Sequence, residues 1–261
     1  MPDLRAFARR LARPLGRRRG REWGIPDGSI RGRREALREE TDYWDRWLST
    51  KGGKWAHDYR YRVDPSAEVA DPALRLILQS LPQDRIAILD VGAGPVSAVG
   101  YRFPGKALAL TAVDPLADEY DRLLAAHRLA PPVRTEPVEG EKLLERFGAE
   151  RFDVAYARNA LDHASDPLVI VENMLGVVSS RGYVVLRHVR NEGLRQGYVQ
   201  LHQWNFDERE GRLLVWRPDE ETDLTEMLAG RAKVECALEP SEEGEPDYWV
   251  VCTMRKLRGA A

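Results

Sequence analysis

The sequence predicts an α/β domain in which a mostly parallel sheet is covered by helices on both faces. Three observations carry this reading. Short apolar runs of strand length alternate with segments of helical periodicity. One run, Ile88, Leu89, Asp90 and Val91, ends in an acid and enters the turn Gly92, Ala93, Gly94, Pro95. A second, residues 108–113, ends in Asp114, which lies 20 residues beyond Gly94 (114 − 94). With 261 residues and 43% hydrophobic content, the chain can bury one sizeable α/β core with additions.

The first 29 residues read as a basic tail. Between Arg5 and Arg21 stand eight arginines and no acid, although the formal net charge of the whole chain is −2. Leu4, Phe7, Ala8, Leu11 and Leu15 fall at helical spacing until Pro14 interrupts them, a pattern that suits a solvated tail, an anionic membrane surface or a protein partner. Residues 30–84 form an N-terminal helical segment. Residues 30–48 read as a helix with Leu37, Thr41, Trp44 and Leu48 on one stripe, ending near Gly52 and Gly53. Trp55, His57, Tyr59 and Tyr61 follow in a polar, aromatic stretch.

Residues 85–261 carry the main domain. Two glycines after Val91 let backbone approach a ligand where a Cβ would intrude, and the residues after them can open a helix with free N–H groups. The dinucleotide pattern G-x-G-x-x-G is broken, because its third position holds Ser97. An acid at Asp114 can accept both ribose hydroxyls of an adenosyl group. Residues 133–138 read as a short strand leading to Glu139 and Gly140, and residues 152–157 as a fourth strand leading to Arg158, Asn159, Asp162 and His163. Asp166 and Pro167 form an N-cap and first-turn pair for a helix buried through Leu168, Val171 and Leu175, after which Gly182 releases the chain into a strand over 183–189. An insertion spans 191–229, with strands expected at 201–206 and 212–216 joined near Glu210 and Gly211. Residues 232–238 and 248–254 read as a closing antiparallel hairpin. Cys236 and Cys252 lie in it, and free thiols are expected.

From 85 to 190 the chain resembles the class I S-adenosylmethionine-dependent methyltransferases. The resemblance implies a Rossmann-like, seven-stranded sheet and S-adenosylmethionine as cofactor. It implies that Asp90, Gly92, Ala93 and Gly94 wrap the methionine part, that Asp114, followed by Pro115, holds the ribose, that Glu139 and Gly140 lie near the adenine amine, and that Arg158 and Asn159 line the sulfonium. Val96 stands where the family often has a third glycine. The N-terminal segment then becomes a lid over the cofactor, or an extra helix packed on the sheet, with Arg60 and Arg62 as candidates for the methionine carboxylate.

Ligands of open α/β sheets bind beyond the carboxyl ends of the strands. That rule gathers Asp162 and His163, His188 and Asn191, and the insertion's His202, Gln203 and Trp204. A histidine suits removal of an acceptor proton, so His163 is the expected general base with Asp162 orienting it, and His188 and His202 are alternatives. Some quinone-pathway methyltransferases hold a metal in the segment after the fourth strand; here the matching positions are Asn159, Asp162 and His163, and the amide leads us to assign no metal ligand. The post-strand segment also lacks the Pro-Pro-aromatic pattern of base-amine methyltransferases, which makes nucleic acid an unlikely substrate. The polar, aromatic insertion favours a small hydroxylated acceptor, sugar-like or a natural product. The alternatives are an RNA methyltransferase using the tail as a phosphate-binding arm and a non-catalytic protein that binds the cofactor. No apolar run is long enough to span a membrane, no signal-peptide pattern is present, and the cofactor is made inside cells, so a cytoplasmic location is expected.

Overall fold

The computed structural model describes residues 30–241 and 248–259. The arginine tail lies outside the described residues. Three helices open the fold: α1 (Ile30–Ser49), α2 (Ala56–Val63) and α3 (Pro72–Ser80). The main sheet takes β1 (Arg85–Val91), β2 (Ala107–Val113), β3 (Thr135–Glu136), β4 (Phe152–Arg158), β5 (Val178–Val189), β9 (Ala232–Pro240) and β10 (Tyr248–Lys256), in the order β3-β2-β1-β4-β5-β10-β9. Strands β1 to β5 are parallel, and β10 runs antiparallel to both neighbours. Between β5 and β9 a second sheet is formed by β6 (Asn205–Arg209), β7 (Arg212–Arg217) and β8 (Glu220–Asp223). The remaining helices are α4 (Ala117–Ala126), α5 (Leu143–Phe147), α6 (Pro167–Val177), α7 (Glu192–Arg195) and α8 (Leu224–Met227).

Strand side chains alternate between two cores, as the period of two requires. Ile86, Ile88, Val154, Tyr156 and Val185 face α3 through Leu74, Ile77 and Leu78. Leu89, Val91, Ala155, Ala157 and Leu186 face the other way, toward Val171, Met174 and Leu175 of α6. Asp166 caps α6 by accepting from the backbone N–H groups of Leu168 and Val169, and Pro167 supplies its first turn. Phe206, Leu213 and Val215 of the second sheet belong to the α6 core, so the insertion is bound to the sheet by burial.

Several elements depart from the expectations. No helix opens after Gly94: Gly100 and Gly105 have φ of 88° and 74°, Pro104 removes a donor, and the segment pairs instead with residues 67–69 through Tyr101 N–H to Ala67 O and Val69 N–H to Arg102 O. The third strand shrinks to two residues. Gly182 does not begin β5 but sits within it; α6 runs directly into the strand at Val178, and a bulge against Phe152 and Val154 absorbs the extra residues. The polar aromatic stretch is the short helix α2. In the insertion, residues 201–204 are not strand, a third strand β8 is added, and the β6–β7 turn is the expected Glu210 and Gly211, both at positive φ. Cys236 and Cys252 are free and stand opposite each other in the hairpin register.

Candidate active site

Strand β1 pairs with β2 on one side and β4 on the other, and the chain leaves these two neighbours in opposite directions across the sheet. Such a switch point leaves a crevice at the carboxyl ends of β1 and β4, where the loops cannot cover one another. Gly92 and Gly94 lie at its floor with φ of 70° and 65°. A Cβ at Gly92 would collide with Ala160 beyond β4, and one at Gly94 would come within 2.7 Å of the Trp44 ring. Bare backbone is therefore required at both positions.

Asp90 and Asp114 flank this loop. Asp90 is 2% exposed and accepts a 2.6 Å hydrogen bond from the Ser97 hydroxyl. Asp114 accepts from Gly94 N–H at 3.2 Å and from Leu116 N–H at 3.0 Å. Burial raises both carboxyls to about 6, although these hydrogen bonds pull the other way. Ala93 is buried between them, whereas Pro115 is exposed. Glu139 stands apart, exposed and paired with Lys142 at 3.1 Å, while Gly140 is buried where a Cβ would press on Ile170.

The N-terminal helices bring residues that the sequence reading missed. Trp44 of α1 rests on Gly94 and meets Tyr120 of α4 edge to face with ring centroids 6.2 Å apart. Glu40, one turn earlier, accepts from the Trp44 indole N–H at 2.8 Å, and its other oxygen lies 3.9 Å from His163 Nδ1. Asp58 of α2 joins Arg62 at 2.8 Å and Arg158 at 3.4 Å. Arg62 also donates to Val96 O at 3.2 Å, so it reaches the glycine loop, while Arg60 is exposed. The i, i+4 pair of Asp58 and Arg62 was the one local signal for this arrangement. Asn159 holds φ at 48° and uses its side-chain oxygen to accept from Val189 N–H at 3.3 Å.

Three of the five histidines gather beyond β4 and β5. Gln203 and Trp204 donate their N–H groups to Asp162 O at 3.0 and 3.2 Å, and the Trp204 indole donates to Ala164 O at 3.1 Å, which clamps the insertion onto the turn after β4. His202 Nδ1 then lies 2.7 Å from Asp162 Oδ2 and 3.0 Å from His163 Nε2, and the latter is 3.5 Å from the same Asp162 oxygen. Burial alone would raise Asp162, but the charges of His163 and His202 and the His202 hydrogen bond bring it down to about 2. Burial works against protonation of His202, and Asp162 outweighs it, so this imidazole is raised. The second oxygen of Asp162 is buried without a hydrogen-bond partner among the described residues.

His188 is a different case. It is 1% exposed, stacks on Phe206 with centroids 4.2 Å apart, and burial lowers it to about 4. Neither ring nitrogen has a partner among the described residues. Enclosed in this way, it is less open to an acceptor than His163 or His202. Trp204 and Asn205, expected to stack on or bind an acceptor, are 3% and 0% exposed; Asn205 is consumed by Leu194 N–H, the Tyr198 hydroxyl and Trp216 O. Asn191 is likewise held by Asp207 and Trp216, and Gln203 donates to Tyr198 O and Gln200 O. His202 is therefore the insertion residue left to face the crevice from that segment.

Residues 89–186, from the end of β1 into β5, match the family model described as a methyltransferase domain. No curated protein matches the chain. Among solved structures, a 1,6-didemethyltoxoflavin N1-methyltransferase from Burkholderia thailandensis, with bound 1,6-didemethyltoxoflavin and S-adenosylhomocysteine, is 18% identical; the alignment covers 88% of this chain and 93% of that one, with a TM-score of 0.49. The N-methyltransferase NodS from Bradyrhizobium japonicum is 16% identical over 71% of this chain and 92% of its own, with a TM-score of 0.43. A SAM-dependent methyltransferase from Aquifex aeolicus is 17% identical over 75% and 95%, with a TM-score of 0.45. The matched segment contains the glycine loop, Asp114 and the turn after β4, so in these residues the chain is similar to the methyltransferase domain family.

Proposed function

We propose that this enzyme methylates a hydroxyl of a small molecule held between the turn after β4 and the insertion. One observation carries the reading: Asp162, His163 and His202 converge within 3.5 Å of one another at the carboxyl end of β4, and both imidazoles keep about a fifth of their surface open. Bound S-adenosylmethionine supplies a methyl carbon already activated by the sulfonium. What remains for the chain is to align the acceptor, exclude water and withdraw the hydroxyl proton.

The cofactor residues fit that division of work. Gly92 and Gly94 offer backbone with no Cβ in the way of a ligand, and buried Asp114 has acceptor positions left for ribose hydroxyls beyond the two backbone bonds it receives. Arg62 and Arg158, joined through Asp58, put two guanidinium groups near the loop for a carboxylate. Glu139, exposed beyond β3, is the acid for the adenine amine. His163 and His202 with Asp162 form the proton-withdrawing group.

Incubation with methyl-labelled S-adenosylmethionine and a library of hydroxylated small molecules, beside total RNA, tests the reading. Label in a methyl ether is the expected result. Label in RNA, or binding of the cofactor without transfer to any acceptor, would overturn it.

A further inference from the structure

We propose that Asp162, His163 and His202 form a binding site for one divalent transition-metal ion, the means by which the acceptor hydroxyl is ionised. The proposal rests on the placement of the acceptor given above and deepens it.

The geometry brings three potential ligand atoms close together. Asp162 Oδ2, His163 Nε2 and His202 Nδ1 are 2.7, 3.0 and 3.5 Å apart pairwise. Ligands about 2.0 to 2.2 Å from a tetrahedral zinc ion stand about 3.3 to 3.6 Å from each other. One edge already has that length, and the two others need to open by about half an ångström. Without an ion, one of two ring nitrogens 3.0 Å apart has to donate and the other accept, so only one lone pair is used. A cation between them uses both lone pairs at once.

The surroundings match a metal site with an open position. His163 presents its other nitrogen, Nδ1, toward Glu40 Oε2 at 3.9 Å, the carboxylate behind a histidine that orients metal-bound imidazoles. Asp162 is 1% exposed, with its remaining oxygen unpartnered among the described residues. His163 and His202 keep 20% and 21% of their side chains exposed, so the pair is reached by solvent. The site is assembled from both ends of the domain: Glu40 from α1, Asp162 and His163 after β4, His202 from the insertion. Asn159, whose amide argued against a metal, is replaced in the ligand set by His202.

Two imidazoles and one carboxylate favour zinc or a neighbouring first-row ion over magnesium or calcium, which prefer oxygen alone. In the reaction the acceptor oxygen takes the open position, its O–H bond breaks, and the proton passes to water. The oxygen keeps the electron pair with which it bonds to the methyl carbon, while the sulfonium S–CH3 bond breaks and its pair stays on the sulfur of the departing S-adenosylhomocysteine. The ion supplies the lowered pKa that permits this near neutrality.

The test is direct metal binding by the tag-free, full-length protein after chelator treatment. Zinc is titrated calorimetrically, and metal content is measured after dialysis. Cobalt(II) serves as a second probe, through the visible absorption of a site of low coordination number. One zinc per chain is expected. Glu40→Gln should weaken binding by roughly ten- to a hundredfold, as loss of an outer carboxylate typically does, and His202→Gln and Asp162→Asn by more. His202→Gln keeps much of the side-chain volume, and its melting curve reports folding. No zinc bound at micromolar protein, or one zinc bound equally well by the His202 and Asp162 variants, would overturn the proposal. Binding is read without any acceptor, so a failed search for a methylated hydroxyl leaves this result standing, and the reverse also holds.

Discussion

The cofactor affinity of this enzyme should depend on pH through Asp114. Its carboxyl is 8% exposed and raised to about 6 by burial, against the pull of the Gly94 and Leu116 N–H groups. In the proposed site ribose hydroxyls would donate to it, and a carboxylate accepts such bonds far better than a carboxylic acid. With a value near 6, about 97% of the groups are ionised at pH 7.5 and about 9% at pH 5, so affinity should fall by roughly tenfold, about 1.4 kcal/mol. Stability of the empty protein should move the other way. Because the folded value lies above the unfolded one of about 3.9, the native state holds the extra proton, and the stabilisation this gives is lost as pH rises from about 4 through about 6. Calorimetric titration of S-adenosylmethionine from pH 5 to 7.5 measures the first effect, and thermal melts without cofactor the second. Asp90 is raised to a similar value, so Asp114→Asn is needed to separate them. That variant should bind more weakly at pH 7.5 and lose most of the pH slope. A flat affinity in the wild type, or an unchanged slope in Asp114→Asn, would refute the assignment of Asp114 to the ribose.

Asp114→Ala should weaken cofactor binding by about 1.5 to 3 kcal/mol at pH 7.5, the range for a lost hydrogen bond to a charged group, as measured by calorimetry. His163→Gln and His202→Gln should lower turnover by roughly a hundred- to ten-thousandfold while leaving cofactor affinity near its original value, which single-turnover kinetics and titration can separate. Gly92→Ala should destabilise the fold by more than the roughly 1 to 2 kcal/mol that a left-handed backbone costs a residue with a Cβ, because that carbon also meets Ala160; the melting temperature reads the loss. Deleting residues 1–25 should leave cofactor binding intact and weaken binding to anionic vesicles most at low salt, seen by sedimentation with liposomes.

The features set by short-range pattern were legible in the sequence. Alternation marked β1, β2, β4 and β5, and Asp166 with Pro167 marked α6, because each depends on neighbours within one or two turns. Asp90, Gly92, Gly94 and Asp114 came together for the same reason, since two adjacent parallel strands end at one level. What the pattern could not reveal depends on distant chain. Trp204 looks like an exposed aromatic until β6 and β7 turn it into the α6 core. His202 lies 40 positions from Asp162, and only the clamp by Gln203 and Trp204 brings them into contact. The missing helix after Gly94 depended on competition from residues 67–69, which no local propensity records.

The ring of Trp44 on Gly94 bears on the rate of the enzyme's cycle. If the cofactor lies along the glycine loop as proposed, exchange of spent for fresh cofactor would displace the Trp44 ring, which itself packs on Trp47. Trp44 and Trp47 would move with α1, and the turn after it holds Gly52 and Gly53, both at positive φ and suited to act as a pivot. Glu40 stands on the same helix, so such an opening would also draw its carboxylate away from His163. Release and chemistry would then exclude each other within one turnover: a helix position that freed the product would also disarm the site.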